Sequence, residues 1–254
     1  MHEPMTASRQ PEVPPDAPPD AEAPVDAQVE IHPADGDGAP AAVAIFCHGG
    51  TATSHAPPRE RALSLVRMRA IEMFVRRALT GRGVETRLVR YRVAGWNGES
   101  ADAYLDVQQA IEQVRTAHGH QVPIVLVGHS MGGRAALRAG GDRQVAAVCG
   151  LAPWTPPGEP VGHLRDTTVA ILHGRNDRWV PARLSADYAR RARTAGVRVA
   201  RFTIGGGHSM LRGAHRWHTF ARDVVLGGSG IEPMRADITN ALHQPAPEGL
   251  AVPL

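Results

Sequence analysis

The sequence predicts an α/β fold, a mostly parallel central sheet flanked by helices on both faces, and three observations carry that expectation. Short apolar runs alternate with longer amphipathic ones across residues 29–226, the pattern of helices that cross over a parallel sheet. The run Val122-Pro123-Ile124-Val125-Leu126-Val127 is almost continuously apolar, as suits a strand buried on both faces. It leads directly into Gly128-His129-Ser130-Met131-Gly132-Gly133, in which glycines stand two residues before and two after a serine. Without Cβ atoms at those positions two backbones can approach closely, so the stretch reads as a sharp strand-to-helix turn that lifts the serine clear of the sheet.

Each element follows from its local pattern. Val29 to His32 and Ala42 to Cys47 read as strands, separated by the turn residues Asp35-Gly36-Asp37-Gly38. Glu60 to Leu79 reads as a helix, with Leu63, Val66, Ala70, Phe74 and Ala78 at three- and four-residue spacing as its apolar seam. Glu85 to Arg92 reads as a strand. Ser100 is placed to cap the next helix, whose seam is Tyr104, Val107, Ile111 and Val114. After the strand 122–127 come a helix over Gly132 to Ala139 and strands over Val145 to Leu151 and Thr168 to His173. A helix over Ala182 to Ala195, a strand over Arg198 to Ile204 and a helix over Gly213 to Leu226 complete the series.

The ends differ in composition. Residues 1–28 form an acidic arm rich in proline and alanine, which lacks the apolar area to offset chain entropy and is expected to be disordered. Residues 227–254 read as a tail, with a short helix over Ile231 to Leu242 and a proline-interrupted, disordered end from Gln244 to Leu254. Residues 1–40 hold nine acids and one arginine, whereas the remainder holds 27 arginines and 16 acids, and the chain has no lysine. Arg59, Arg61, Arg67, Arg69, Arg76 and Arg77 fall with Glu60 and Glu72 on one helical pattern, which reads as a solvated face and not as a nucleic-acid surface. Apolar runs fall short of the ~20 residues a membrane span needs. The N-terminus shows no basic segment followed by an apolar one, so a cytoplasmic location is expected. Cys47 and Cys149 read as buried reduced thiols.

A serine hydroxyl is a weak nucleophile until a base takes its proton. On a sheet of this kind an acid and then a histidine should follow, each on a loop at the carboxyl end of a later strand. Asp177 follows the strand Val169 to His173 through Gly174-Arg175-Asn176, and His208 follows Phe202-Thr203-Ile204 through three glycines. His215 and His218 fall inside a helical pattern, Asp166 precedes its strand, Asp187 is mid-helix and Asp223 comes after His208. His129 reads as packing beneath the turn, and His173 as a structural hydrogen bonder. An oxyanion would take one N–H from Met131, after the serine, and one from the loop His48-Gly49-Gly50-Thr51, with Gly50 the first choice and Thr51 the second. Trp96 and Trp154, which leave strands at the same end, are candidates to wall a substrate pocket, with surface or hinge packing as the alternative. Trp179 is expected to pack against its loop.

Phe46-Cys47-His48-Gly49-Gly50, the elbow at Ser130, His173-Gly174-Arg175-Asn176-Asp177 and Gly205-Gly206-Gly207-His208 together resemble the α/β-hydrolase superfamily. The likeness is to small, lidless bacterial members of the dienelactone-hydrolase or esterase type, over residues 29–226. Dienelactone hydrolases proper carry a cysteine nucleophile where this chain has Ser130. The resemblance implies an α/β-hydrolase fold with Ser130, Asp177 and His208 as a triad acting on a small-molecule acyl substrate without cofactor or metal. Ala152 to Asp166 holds four prolines and is too short for a cap domain. No nucleic-acid or membrane partner is expected. Acyl transfer or thioester cleavage by the same triad, and a non-catalytic binding role on the same fold, stand as alternatives.

Overall fold

The computed structural model describes residues 26–36 and 38–254; residues 1–25 of the expected arm and Asp37 of the expected turn lie outside the described residues. The strands are β1 (Gln28–His32), β2 (Ala42–Cys47), β3 (Val84–Arg90), β4 (Ile124–His129), β5 (Val145–Leu151), β6 (Thr168–Gly174), β7 (Arg198–Ile204) and β8 (Val252–Pro253). They form one sheet in the order β1-β3-β2-β4-β5-β6-β7-β8. β1 runs antiparallel to β3 and every other pair is parallel. The helices are α1 (Leu63–Leu79), α2 (Asp102–His118), α3 (Met131–Ala139), α4 (Ala182–Thr194), α5 (Ala214–Gly228) and α6 (Ala236–His243).

Both sheet faces are covered, which explains the unbroken apolar strands. In β2, Val43, Ile45 and Cys47 join the core packed under α2, α3 and α4, whereas Ala42, Ala44 and Phe46 join the core under α1, α5 and α6. Sheet growth reverses at β2, with β3 on one side and β4 on the other. At such a switch point the loops leaving the two strands diverge and open a crevice at their carboxyl ends. β2 ends at Cys47 and β4 at His129, so Gly49-Gly50 and Ser130 face the same crevice.

Several local expectations need correction. α1 begins at Leu63, three residues later than expected, and buries Leu65, Met68, Ile71, Glu72, Val75 and Leu79. The expected seam began on the wrong face: Leu63 is 76% exposed and Val66 47%. Both stripes obey helical spacing, and the sheet selected the one whose bulk it could bury. Ser100 lies in a 3-10 turn, and α2 starts after Ala101, which adopts a left-handed conformation. Residues 26–28 belong to the fold: Gln28 opens β1, and the Ala27 N–H donates to Gln109 Oε1 at 2.9 Å.

The expected C-terminal tail is also part of the sheet. Leu250 is buried, Arg201 Nη1 donates to its carbonyl at 3.2 Å, and β8 pairs with β7. The Leu254 N–H donates to Thr203 O at 2.8 Å. Prolines are tolerated there because β8 is an edge strand. Between β5 and β6, residues 152–166 contain one 3-10 turn, Gly162–Leu164, and no cap stands over the crevice among the described residues. Among the described residues no helix is long and apolar enough to cross a membrane.

Candidate active site

Ser130 sits between β4 and α3 with φ 56° and ψ −118°, a backbone conformation costly for any side chain but glycine. Neighbouring main chain holds it there. Its N–H donates to Leu151 O at 3.1 Å, and its carbonyl accepts from Trp154 N–H at 2.9 Å and Arg134 N–H at 3.1 Å. The flanking glycines are required by close approach: a Cβ on Gly128 would stand 2.3 Å from Gly132 O, and one on Gly132 would stand 2.2 Å from Cys47 O.

The structure brings Ser130, His208 and Asp177 into one hydrogen-bonded row. Ser130 Oγ lies 2.8 Å from His208 Nε2, and His208 Nδ1 lies 2.7 Å from Asp177 Oδ2. A carboxylate only accepts, so Nδ1 carries the ring proton, Nε2 of the neutral ring is the acceptor, and the Ser130 hydroxyl donates. Two loops at the ends of β6 and β7 set this geometry. Asn176 N–H donates to Gly206 O at 3.0 Å and Arg175 N–H to Ile204 O at 2.8 Å. A Cβ on Gly174 would come within 2.5 Å of Gly206 O, so the loops touch through glycine backbones.

Asp177 is held ionised. Burial opposes its charge, but hydrogen bonds from His173 and His208 and from the Val180 N–H outweigh that and keep its carboxyl well below the usual range. Its Oδ1 accepts from Trp179 N–H at 3.0 Å and Val180 N–H at 2.8 Å. His173 Nε2 lies 2.9 Å from Val180 O and 3.3 Å from Asp177 Oδ2; both are acceptors, so this nitrogen carries a proton. His129 is fully enclosed beside the row. Burial first, then the charges of His208 and Arg67, push its pKa well down and leave the ring neutral.

Of the two loop residues considered for an oxyanion, the Thr51 N–H is committed to Ala94 O at 2.9 Å. Thr51 is therefore set aside as a donor, because its N–H completes a bridge to the strand-like segment at Gly95. The Gly50 N–H makes no hydrogen bond among the described residues. Gly50 is fixed by contact on two sides: a Cβ there would stand 2.4 Å from Ala94 O and 2.4 Å from Met131 Cε. Met131 opens α3, where the first N–H groups lack partners within the helix.

A cavity of about 630 Å³ opens over Ser130, with Gly50, Met131, Trp154, Trp179 and His208 among its lining residues. Trp154 is thus a wall of the cavity, whereas Trp96 is not. Trp96 is 1% exposed, stacked under Arg134 at 3.8 Å and edge-on to Trp154 at 6.4 Å, so it supports the wall from within the core. Trp179 reverses the other expectation. It is 81% exposed, stands 5.9 Å from the His208 ring and forms part of the mouth. Sequence reasoning also missed Leu63, Ser64 and Arg67 of α1 and Leu211, all of which line the cavity. The signal available was Leu63 and Arg67 at four-residue spacing next to a loop already assigned to the site.

Cys47 and Cys149 are buried free thiols. Burial, only partly offset by a hydrogen bond with Tyr91, pushes Cys47 up to about 12. His215 and His218 lie on α5 against Phe74, with ring centroids at 5.6 and 5.3 Å.

Fold and site together define an α/β hydrolase with Ser130 at the strand-to-helix elbow. The alpha/beta hydrolase family model matches residues 44–248, and the chain belongs to that family. No curated protein matches it. Among solved structures, it is similar to a protein of unknown function from Agrobacterium tumefaciens, at TM-score 0.62 and 16% identity over 82% of this chain and 93% of that one. A serine hydrolase without lid from Xanthomonas campestris gives TM-score 0.53 and 18% identity over 83% and 91%. A thermophilic esterase from Thermogutta terrifontis gives TM-score 0.59 and 23% identity over 84% and 91%. At these identities the likeness is one of fold.

Proposed function

We propose that the protein is a serine hydrolase that cleaves carboxylic esters through an acyl-enzyme on Ser130. The observation that carries this reading is the row Ser130 Oγ to His208 Nε2 at 2.8 Å and His208 Nδ1 to Asp177 Oδ2 at 2.7 Å, beneath a cavity with no cap among the described residues. His208 takes the hydroxyl proton as Ser130 attacks the acyl carbonyl, and the ionised Asp177 stabilises the imidazolium that forms. The Met131 and Gly50 N–H groups receive the oxyanion; one such donor is worth about 3 to 4 kcal/mol of transition-state stabilisation. His208 then returns the proton to the leaving alkoxide, and water repeats the sequence to release the acid. Trp154 and Trp179 flank the bound acyl or alcohol group. The two free buried thiols accord with a cytoplasmic enzyme.

A panel of 4-nitrophenyl esters of increasing acyl length tests this. Nitrophenol release should be fast for at least one ester and fall by roughly 10³-fold or more in Ser130→Ala. A folded wild-type protein that releases no acid from any of them would overturn the reading. Including competing alcohols and thiols distinguishes hydrolysis from acyl transfer.

A further inference from the structure

The first turns of α1 lie over the mouth of the cavity and present Leu63, Ser64 and Arg67 to it. Ser64 is close to the reacting serine: the position of a Cβ on Gly49 is 3.4 Å from both Ser64 Cβ and Ser130 Cβ. Arg67 is one turn further along the same face. Among the described residues it is the single arginine of the lining, and no aspartate or glutamate shares that lining. Its Nε is buried and unpartnered among the described residues. Neighbouring arginines of α1 are satisfied differently, Arg69 by Glu30 and Glu60 and Arg76 by Glu72 at 3.4 Å. Burial lowers the pKa of Arg67, and no acid among the described residues opposes the shift. The adjoining hollow of about 200 Å³, lined by Arg178, Trp179 and His208 among others, also lacks an acid among the described residues.

The Nε of Arg67 has given up water in a largely apolar cavity that holds no carboxylate among the described residues, and a bound anion would offset that cost. A planar guanidinium is also the side chain best shaped to take two oxygens of one acid group. We propose that Arg67 is a specificity-determining residue that binds an ionised acid group on the substrate, so that the preferred substrates are anionic esters, such as half-esters of dicarboxylic acids. The inference rests on the ester-hydrolase reading for its chemistry. The exposed Leu63, Trp179 and Leu211 supply apolar contact for the remainder of such a molecule.

The test compares 4-nitrophenyl hydrogen glutarate with neutral 4-nitrophenyl pentanoate as substrates. In wild type the ratio of kcat/KM, anionic over neutral, should exceed one. It should fall about ten-fold or more in Arg67→Gln and recover in part in Arg67→Lys, while Arg77→Gln on the solvent face leaves it as in wild type. A parallel titration of monomethyl glutarate into Ser130→Ala reads binding without turnover, and binding should weaken about ten-fold or more when Arg67→Gln is added. If pentanoate is cleaved but ratio and binding ignore Arg67, the inference fails and the hydrolase reading stands. If Arg67-dependent binding is seen but wild type cleaves neither ester, anion recognition stands and the hydrolase reading fails. If there is neither binding nor cleavage, both fail.

Discussion

His129 Nε2 donates to the main-chain oxygen of His208 at 3.1 Å, so the residue that precedes the nucleophile of the proposed mechanism also ties down the loop bearing its base. The rings lie 4.7 Å apart, and an oxygen acceptor fixes the proton on Nε2 of His129. His129→Phe keeps the ring volume and removes this bond. It is expected to cost about 1 kcal/mol of stability and to lower kcat more than KM, because the row of Ser130 and His208 loosens. Chemical denaturation and steady-state kinetics on one ester check both parts; an unchanged kcat would contradict the tether.

Gly50 should tolerate no side chain. The Cβ of Gly50→Ala would press on Ala94 O and the Met131 side chain at 2.4 Å each, so the loop must move away from the elbow. Loss of one oxyanion donor predicts a fall in kcat of roughly 10²-fold to 10³-fold with little change in KM. Thr51→Ala retains the N–H that bonds Ala94 O and should leave kcat within a few-fold. Equal losses in both variants would remove the oxyanion role from Gly50.

Asp177 couples charge to both activity and stability. Asp177→Asn should lower kcat by about 10⁴-fold, since an amide no longer stabilises the imidazolium or fixes the tautomer. Its carboxyl titrates lower when folded than when unfolded, so its stabilisation is present above the unfolded value of about 3.9 and is lost as pH falls through the folded one. The stability gap between wild type and Asp177→Asn should therefore be widest near neutrality and shrink below about pH 4. A gap that widens on acidification would contradict this assignment.

Buried histidines act in the same direction on acidification for a different reason. Burial lowers His48 from 6.5 to about 4, opposed only in part by its bond to Gly49 O at 2.7 Å. Between those values the unfolded chain binds a proton that the folded chain refuses, so stability falls as pH drops through the window. The slope approaches about 1.4 kcal/mol per pH unit for each such group, and neutral, buried His129 adds to it. Melting temperatures from pH 7 to 4.5 should fall less steeply for His48→Gln than for wild type; parallel curves would count against a buried neutral His48.

The fold was legible because strands such as β2 and β4 are covered on both faces, which leaves an unbroken apolar signature. The positions of Ser130, Asp177 and His208 were legible because each follows a strand at one end of the sheet, and strand direction is readable from chain order. What the sequence hid was the choice between equivalent faces. α1 carries two stripes of helical spacing, and only packing shows that Leu65 and Met68 turn inward while Leu63 and Arg67 turn toward the cavity. For a related reason the sequence leaves Trp96 open between pocket wall and packing, and points to packing for Trp179, which is exposed at the mouth. Each flanks a site loop, and whether such a ring lies under the loop or over it depends on neighbours distant in sequence, such as Arg134. The C-terminal strand β8 is two residues long and contains a proline, too little pattern to register.

The most direct test of the account is covalent labelling with a fluorophosphonate, followed by intact mass and peptide mapping. One adduct per chain should form on Ser130, absent from Ser130→Ala and slowed strongly in His208→Ala. A folded protein that remains unlabelled, or one whose adduct maps to another residue, would contradict the central claim.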